Sequence, residues 1–481
     1  MSYDLLDYGL KDRVTYPPGH QRPTSQIIYS YPTSGGNSFS SNGNKNMKFW
    51  LPRGSDLVIV GQKLALQFDA VFGWSTFTPV VASSSSVGLW MPASASSIFS
   101  RFRVRVGSVY VHDITSNYGL LKRKLYDLLA RYDWIQSHGV IKEGYVCDPD
   151  SLSGFAGAAK LLNLNGTTVT TTVAKSASTS TARRYQVSFL PHGWLNRHLP
   201  MGSLRGPIEI ELELDTNVDS FMTYNIDSGL SSGNVYITIT NPKIMCIAYQ
   251  DQYIHAAVDA EFRGGFYFND FVSFPGQNIL ANATSATLQY SLSRKSISGI
   301  INVFRIAADM SKTSSTGTLG SASGYLDKMG QCLDMNLSKW YYRFNGRQLP
   351  DAEPLENNNG VMSYTLAQRF AEEYMPNIYN QDCYNCAGGQ FTTQSLSGGA
   401  SPSSNPWFTG SASAYSRFTL YHSFRSDTGV LCGLNTSQSQ NLLEVVLQTI
   451  TAPNSLVQVD AFIRCDSFCR MVDGGVIDLV V

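Results

Sequence analysis

Charge is scarce in this sequence: only 15% of the 481 residues are charged, and 36 basic residues are balanced by 36 acidic ones. That balance excludes a protein held to nucleic acid by bulk positive charge, so any such contact would have to be local. There is no uninterrupted run of about 18 apolar residues, and no membrane-spanning helix is expected. Met1–Asp12 lacks the basic start and apolar stretch of a secretory signal, so the chain is expected to be made in a cytosolic setting. The eight cysteines are thinly spread and are expected there as reduced, buried thiols. In that setting the formal sequons at Asn165, Asn282, Asn336 and Asn435 carry little weight.

Recognisable catalytic patterns are also missing. No G-x-x-x-x-G-K-[ST] phosphate loop is present, and the seven histidines show no ligand spacing. Gly229–Gly233 (GLSSG) satisfies G-x-S-x-G, but a nucleophile elbow needs a helix after it, whereas Val235–Thr240 reads as a strand. Cys383 and Cys386 form a lone C-x-x-C without a second ligand pair; they are expected as free thiols or a late disulfide rather than as half a zinc site. For a glycosidase the close acidic pairs worth testing are Asp148/Asp150 and Asp259/Glu261, each with an ordinary reading as solvated loop or connector. No enzyme, catalytic residue, cofactor or metal site is expected.

What is abundant points to strands and turns: 26 Tyr, 24 Phe, 40 Gly and 19 Pro, with much Ser, Thr and Asn. A chain of this length exceeds the ~250–300 residues at which a single core stops growing, so two domains are expected. The two halves echo each other. Ile208–Asp215 (IEIELELD) alternates with period 2, as does Leu443–Ile450 (LEVVLQTI), with Glu209 and Glu444 235 positions apart (444 − 209). Upstream, Arg101–Gly107 leads into helix-like Tyr118–Tyr132, and Tyr341–Gly346 leads into helix-like Tyr364–Tyr374. Lys243–Asp270 is the seam, with closing strands at Val235–Thr240 and Ile244–Tyr249 and a short helix at Tyr253–Ala260.

The remaining stretches fit around that order. Residues 1–46, rich in Gly, Ser and Pro but carrying Leu5, Leu6, Tyr8, Ile27, Ile28, Tyr29 and Tyr31, are expected to be an extended arm that orders against a neighbour. Arg101, Arg103 and Arg105 alternate with Phe102, Val104 and Val106; a solvated face is favoured over a phosphate-binding stripe. Tyr118, Leu121, Leu125, Leu128 and Tyr132 recur at helical spacing and are expected in the core, whereas Glu372 and Glu373 are expected on the wet face of the second helix. Polar tracts at residues 166–182, 311–324 and 390–414 read as long loops on a scaffold.

The paired strand-to-helix units resemble those of double jelly-roll major capsid proteins. So do Arg343–Pro350 (RFNGRQLP), the stretch Tyr185–Asp215 and the closing VQVDAFIRCDSFCRMVDGGVI, and the likeness covers residues 47–481. That family builds the icosahedral shells of adenovirus-like, polinton-like and virophage-type double-stranded DNA viruses. The resemblance implies an all-β fold with a few helices: two consecutive eight-stranded antiparallel jelly-roll sandwiches at 47–250 and 262–481, joined by 251–261. It implies a virion protein that forms homotrimeric, pseudo-hexagonal capsomers and meets neighbouring capsomers, penton and minor capsid proteins. The length and modest loops point to the smaller members. The alternative reading is a surface or secreted β-sandwich that binds carbohydrate or a receptor, which the Ser/Thr-rich loops would suit.

Overall fold

The computed structural model describes residues 23–74, 94–129, 182–190, 193–218, 235–307, 335–350, 353–357, 361–374, 418–425, 432–437, 442–452 and 454–481, with some shorter pieces between them. In the first half the strands of three residues or more are β1 (Gln26–Ser30), β2 (Ser38–Ser40), β3 (Asn46–Trp50), β4 (Leu57–Val60), β5 (Ala65–Trp74), β6 (Phe99–Val106) and β7 (Val109–Ile114). Helix α1 (Tyr118–Leu129) follows, then β8 (Arg183–Ser188), β9 (His198–Pro200), β10 (Ile208–Leu214) and β11 (Val235–Gln250). Helix α2 (Gln252–Gly264) leads into β12 (Phe266–Ile279), β13 (Ala286–Ser291), β14 (Ile297–Ile306), β15 (Lys339–Phe344), β16 (Arg347–Leu349) and β17 (Leu355–Glu356). Helix α3 (Val361–Tyr374) and strands β18 (Leu420–Ser423), β19 (Leu442–Thr449), β20 (Val457–Val472) and β21 (Val476–Val480) complete the chain.

Two antiparallel sheets face each other in each half, and their orders match. One first-half sheet runs β8-β5-β11 with β1 and β2 on the far edge of β11; its second-half counterpart runs β18-β14-β20-β12. The other runs β3-β10-β6-β7, answered by β13-β19-β15-β16. With β1 and β2 counted as one interrupted strand and β4 and β5 as another, each half supplies the eight positions of a jelly roll. Among the described residues, strands before 251 pair only with one another, as do strands after 265.

Local chemistry accounts for the repeated pieces. The hairpin β6–β7 turns at Gly107 (φ 60°), and β15–β16 at Asn345 (φ 49°) and Gly346 (φ 79°). These left-handed positions are cheap for Gly and tolerated by Asn, which fixes two-residue turns at matching places. On the outer face of each paired sheet a glutamate joins its two neighbours. Glu209 accepts from Trp50 Nε1 (2.9 Å) and Arg105 Nη2 (2.9 Å). Glu444 accepts from Gln289 Nε2 (2.9 Å) and Arg343 Nη1 (3.1 Å). The duplication therefore reaches individual side chains.

Three expectations change. Residues 26–40 are not an arm: β1 and β2 hydrogen-bond to β11, with Phe39 buried and Ile28 packed on the core. The Gly/Ser-rich stretch that suggested an extended arm holds β2 itself and the links on either side of it, and Tyr16 packs edge-on against Tyr253 of α2. Val235–Thr240 and Ile244–Tyr249 form one strand, its register shifting at the bulge before Lys243. The seam helix runs on to Gly264, its N-terminal amides capped by Asp251, which accepts from Tyr253 N (2.8 Å) and Ile254 N (2.9 Å).

Candidate assembly surfaces

The core of the first roll runs on into the second. One apolar cluster takes Phe102, Leu121 and Leu125 from the first roll with Phe268, Phe271, Phe370, Tyr421 and Phe462 from the second. A second cluster, in which Phe304, Trp340 and Tyr342 pack with Leu443, Val445 and Leu447 of β19, belongs to the second roll alone.

Strand β12 of the second roll lies against β7 of the first, on the side from which α1 departs. Asp270 accepts from His112 Nδ1 (2.8 Å), while His112 Nε2 accepts from the Trp194 backbone N–H (2.8 Å). Accepting at Nε2 while donating at Nδ1 fixes the neutral tautomer. Ser273 meets Thr115 (3.3 Å) and Ser116 (3.2 Å), and Asn117 donates to Asp460 Oδ1 (2.9 Å). Arg197 bonds Glu261 (2.6 Å) and the Tyr267 carbonyl (3.1 Å), and Trp194 donates to Cys469 Sγ (3.3 Å). One side of one roll thus packs on a different side of the other, which is a heterologous contact.

The basic stripe is neutralised within its own sheet. Arg101 pairs with Glu213 (3.5 Å), Arg103 with Asp113 (2.5 Å) and Arg105 with Glu209 (2.9 Å), and Lys45 and Lys48 reach Glu213 and Glu211. This ladder is what a solvated strand face becomes when acidic and basic strands lie side by side. Asp259 and Glu261 do not share a cleft: Asp259 holds Arg263 (2.8 Å), and Glu261 holds Arg197. Burial raises the Asp259 pKa, but hydrogen bonds from Ser203 and Arg263 outweigh it and hold the carboxyl below its usual range. The stripe Tyr118, Leu121, Leu125 and Leu128 is buried. Tyr132, Asp148, Asp150, residues 229–233, Cys383 and Cys386 lie outside the described residues.

Sequence reading missed two polar clusters. Lys122, Tyr126 and Glu143 are enclosed; Tyr126 donates to Glu143 Oε1 (3.0 Å), and Lys122 donates to the Ser188 carbonyl, fastening α1 to β8. Burial pulls the Lys122 pKa down to about 8 against the pull of Glu143. The other cluster corrects the expected wet face of α3. Glu372 is exposed, but Glu373 meets the fully buried Arg464 (3.3 Å), Arg369 (2.9 Å) and the Ser423 hydroxyl. The adjacent carboxylates differ because successive helix positions are turned by about 100°, enough to carry one into the groove beside β18.

Burial holds the Cys246 thiol up to about 12 and Cys469 up to about 11; Cys246, Cys465 and Cys469 are free and buried, and Cys332 is buried. Among the described residues no group of His, Cys, Asp and Glu could hold a metal, and no helix is long and apolar enough to cross a membrane. Large apolar side chains do reach the surface on β1 and beside it, at Ile27, Tyr29, Tyr31 and Trp50, and at Val361 where α3 begins.

No protein-family model matches the sequence, and no curated protein matches it. Solved structures do match. PBCV-1 VP54, as fitted into a reconstruction of the virophage Sputnik, is 11% identical with a TM-score of 0.55, over 97% of this chain and 99% of that one. A chain of the Sputnik virophage structure is 12% identical with a TM-score of 0.55, over 99% and 92%. A chain of the PBCV-1 virus capsid is 10% identical with a TM-score of 0.53, over 97% and 99%. The likeness is one of fold across nearly the whole length, and with the matching sheet orders it makes this chain a double jelly roll.

Proposed function

We propose that this chain is a major capsid protein, a virion subunit whose three copies close into a pseudo-hexagonal capsomer that tiles an icosahedral shell. The observation that carries the reading is the side-by-side packing of two matching rolls through unlike sides. Repeated around a threefold axis, that contact gives six similar blocks in a closed ring, with trimer symmetry and a hexagonal outline. The fold likeness to chains of the PBCV-1 capsid and the Sputnik virophage supports it.

The chain divides at α2 into a first roll reaching back to β1 and a second roll from β12 onward. The working parts are surfaces rather than a reaction centre: obligate contacts within the capsomer, burying roughly 2,000–5,000 Å2 or more, and weaker ones to neighbouring capsomers, penton and minor capsid proteins. The ion-paired ladder on β6 and β10 leaves no row of free cations for a genome. The test is to measure the purified protein's mass and to image its assembly products. Trimers that build shells or hexagonal arrays support the reading; a monomer that retains or cleaves sugar overturns it.

A further inference from the structure

Polar side chains from three strands turn into the core of the second roll. Tyr290 on β13, Asn302 on β14, and Trp340 and Tyr342 on β15 are all fully buried. Strands β13 and β15 flank β19 in one sheet, and β14 belongs to the sheet that faces it. Tyr290 Oη crosses between the sheets and donates to Asn302 Oδ1 (2.8 Å). The remaining polar atoms are unmatched: among the described residues Asn302 Nδ2, Trp340 Nε1 and Tyr342 Oη meet no hydrogen-bond partner. Turning the Asn302 amide over would only exchange which of its two atoms is left. Folded proteins match nearly all such buried groups, with protein atoms or with ordered water, because an orphan forfeits the hydration it gave up.

The unmatched atoms are neighbours. Burial pushes the Tyr342 hydroxyl well above its usual pKa; the Trp340 indole N–H beside it pulls the other way, yet stands in no hydrogen-bond geometry to it. Burial likewise raises Tyr290, and the nearby Tyr342 hydroxyl adds to the rise.

The first roll is an internal control. Glu209 has Trp50 and Arg105 opposite it, as Glu444 has Gln289 and Arg343. Counted from these pairs, Leu51, Val104 and Phe102 stand where Tyr290, Tyr342 and Trp340 stand, and all three are buried. The buried face of β5, the strand that answers β14, is Leu66, Phe68 and Ala70. A roll of this design therefore closes around apolar groups at these places, and the polar atoms belong to the second roll alone.

We infer that the core of the second roll binds an ordered water that joins its two sheets, accepting from Trp340 Nε1 and Asn302 Nδ2 and donating to Tyr342 Oη. A buried water makes about three hydrogen bonds, the number that these groups offer. The ligand is water rather than an ion because the groups around it are neutral. Asp460, whose charge reaches Tyr290, is already matched by Arg305 (2.5 Å) and Asn117 (2.9 Å). His422 stacks on the Tyr342 ring (4.1 Å), and burial holds its pKa down to about 3, which keeps the imidazole uncharged. The site belongs to the fold of a single chain and does not depend on the capsid reading.

The test uses the full chain, crystallised to a resolution that shows ordered water, with urea unfolding of wild type and Tyr342→Phe in parallel. The expected map has one isolated peak within hydrogen-bond distance of Trp340 Nε1 and the Asn302 amide. Tyr342→Phe keeps the ring and removes one bond to the water, so its urea midpoint is expected to fall. A dry hydroxyl without a partner would act in the opposite sense, and its removal would raise the midpoint. A map without density between these groups, density too large for a water, or a raised midpoint overturns the inference.

Discussion

Replacing Glu373 by Ala is expected to be far more damaging than replacing its neighbour Glu372. Arg464 is fully buried on β20, and its guanidinium meets Glu373 (3.3 Å), the Ser298 hydroxyl and carbonyl (3.0 Å each) and the face of Phe370 (4.2 Å). Removing the carboxylate leaves a buried cation without this counter-charge, which typically costs about 3–5 kcal/mol. The bonds to Ser298 and the Phe370 ring survive, placing the loss near the lower figure, at about 3 kcal/mol. If the second roll unfolds as one unit, that is a drop in melting temperature of roughly 6–12 °C. Glu372 is exposed and accepts a long bond from Gln368 (3.2 Å), so Glu372→Ala should stay within about 0.5 kcal/mol of wild type. Glu373→Gln keeps an acceptor for Arg464 and should fall between the two. The assay is thermal and urea unfolding of the three variants side by side. Equal stability of Glu373→Ala and Glu372→Ala would refute the buried pair.

Other expectations are equally direct. His112→Ala removes the partner of both Asp270 and the Trp194 amide and should cost about 2–4 kcal/mol in urea unfolding, since two buried bonds are lost; no change would mean that the seam is not held there. Gly107→Ala and Gly346→Ala both force a side chain into left-handed backbone, the first in ordinary contact with the Gly206 Cα (3.7 Å) and the second in open space, so each should cost about 1–2 kcal/mol, and a clear inequality would argue against equivalent turns. The Glu209 carboxyl is raised by burial but held below its usual 4.5 by bonds from Trp50 and Arg105. A depressed native pKa gives stability that is full above the unfolded value and is lost as pH falls through the native one; Glu209→Gln should flatten the stability profile below about pH 4.5. Deleting residues 1–46 takes away β1 and β2 as well as anything before them, and should yield insoluble or unfolded protein rather than intact trimers.

The repeat was legible because its signals are local. Period-2 alternation on β10 and β19, the glycines at 107 and 346 and the apolar stripe of α1 each act within one element and needed no knowledge of neighbours. What the sequence hid was set by pairing. Nothing in Gln26–Ser30 reveals that it borders β11, because an edge strand with an exposed apolar face has the composition of an arm. The arginines of β6 read as free charges until β10 supplies the glutamates beside them. Glu373 differs from Glu372 chiefly through Arg464 and Ser423, 91 and 50 residues away in the chain. The seam histidine gave no signal at all, since His112 and Asp270 are 158 residues apart and neither belongs to a motif.

The most direct measurement is an image of the isolated oligomer: class averages of the negatively stained protein viewed down its symmetry axis. The expected view is a ring of six lobes with threefold symmetry, from particles of three times 52.9 kDa. Isolated two-lobed particles of a single chain, or a ring with any other number of lobes, would contradict it.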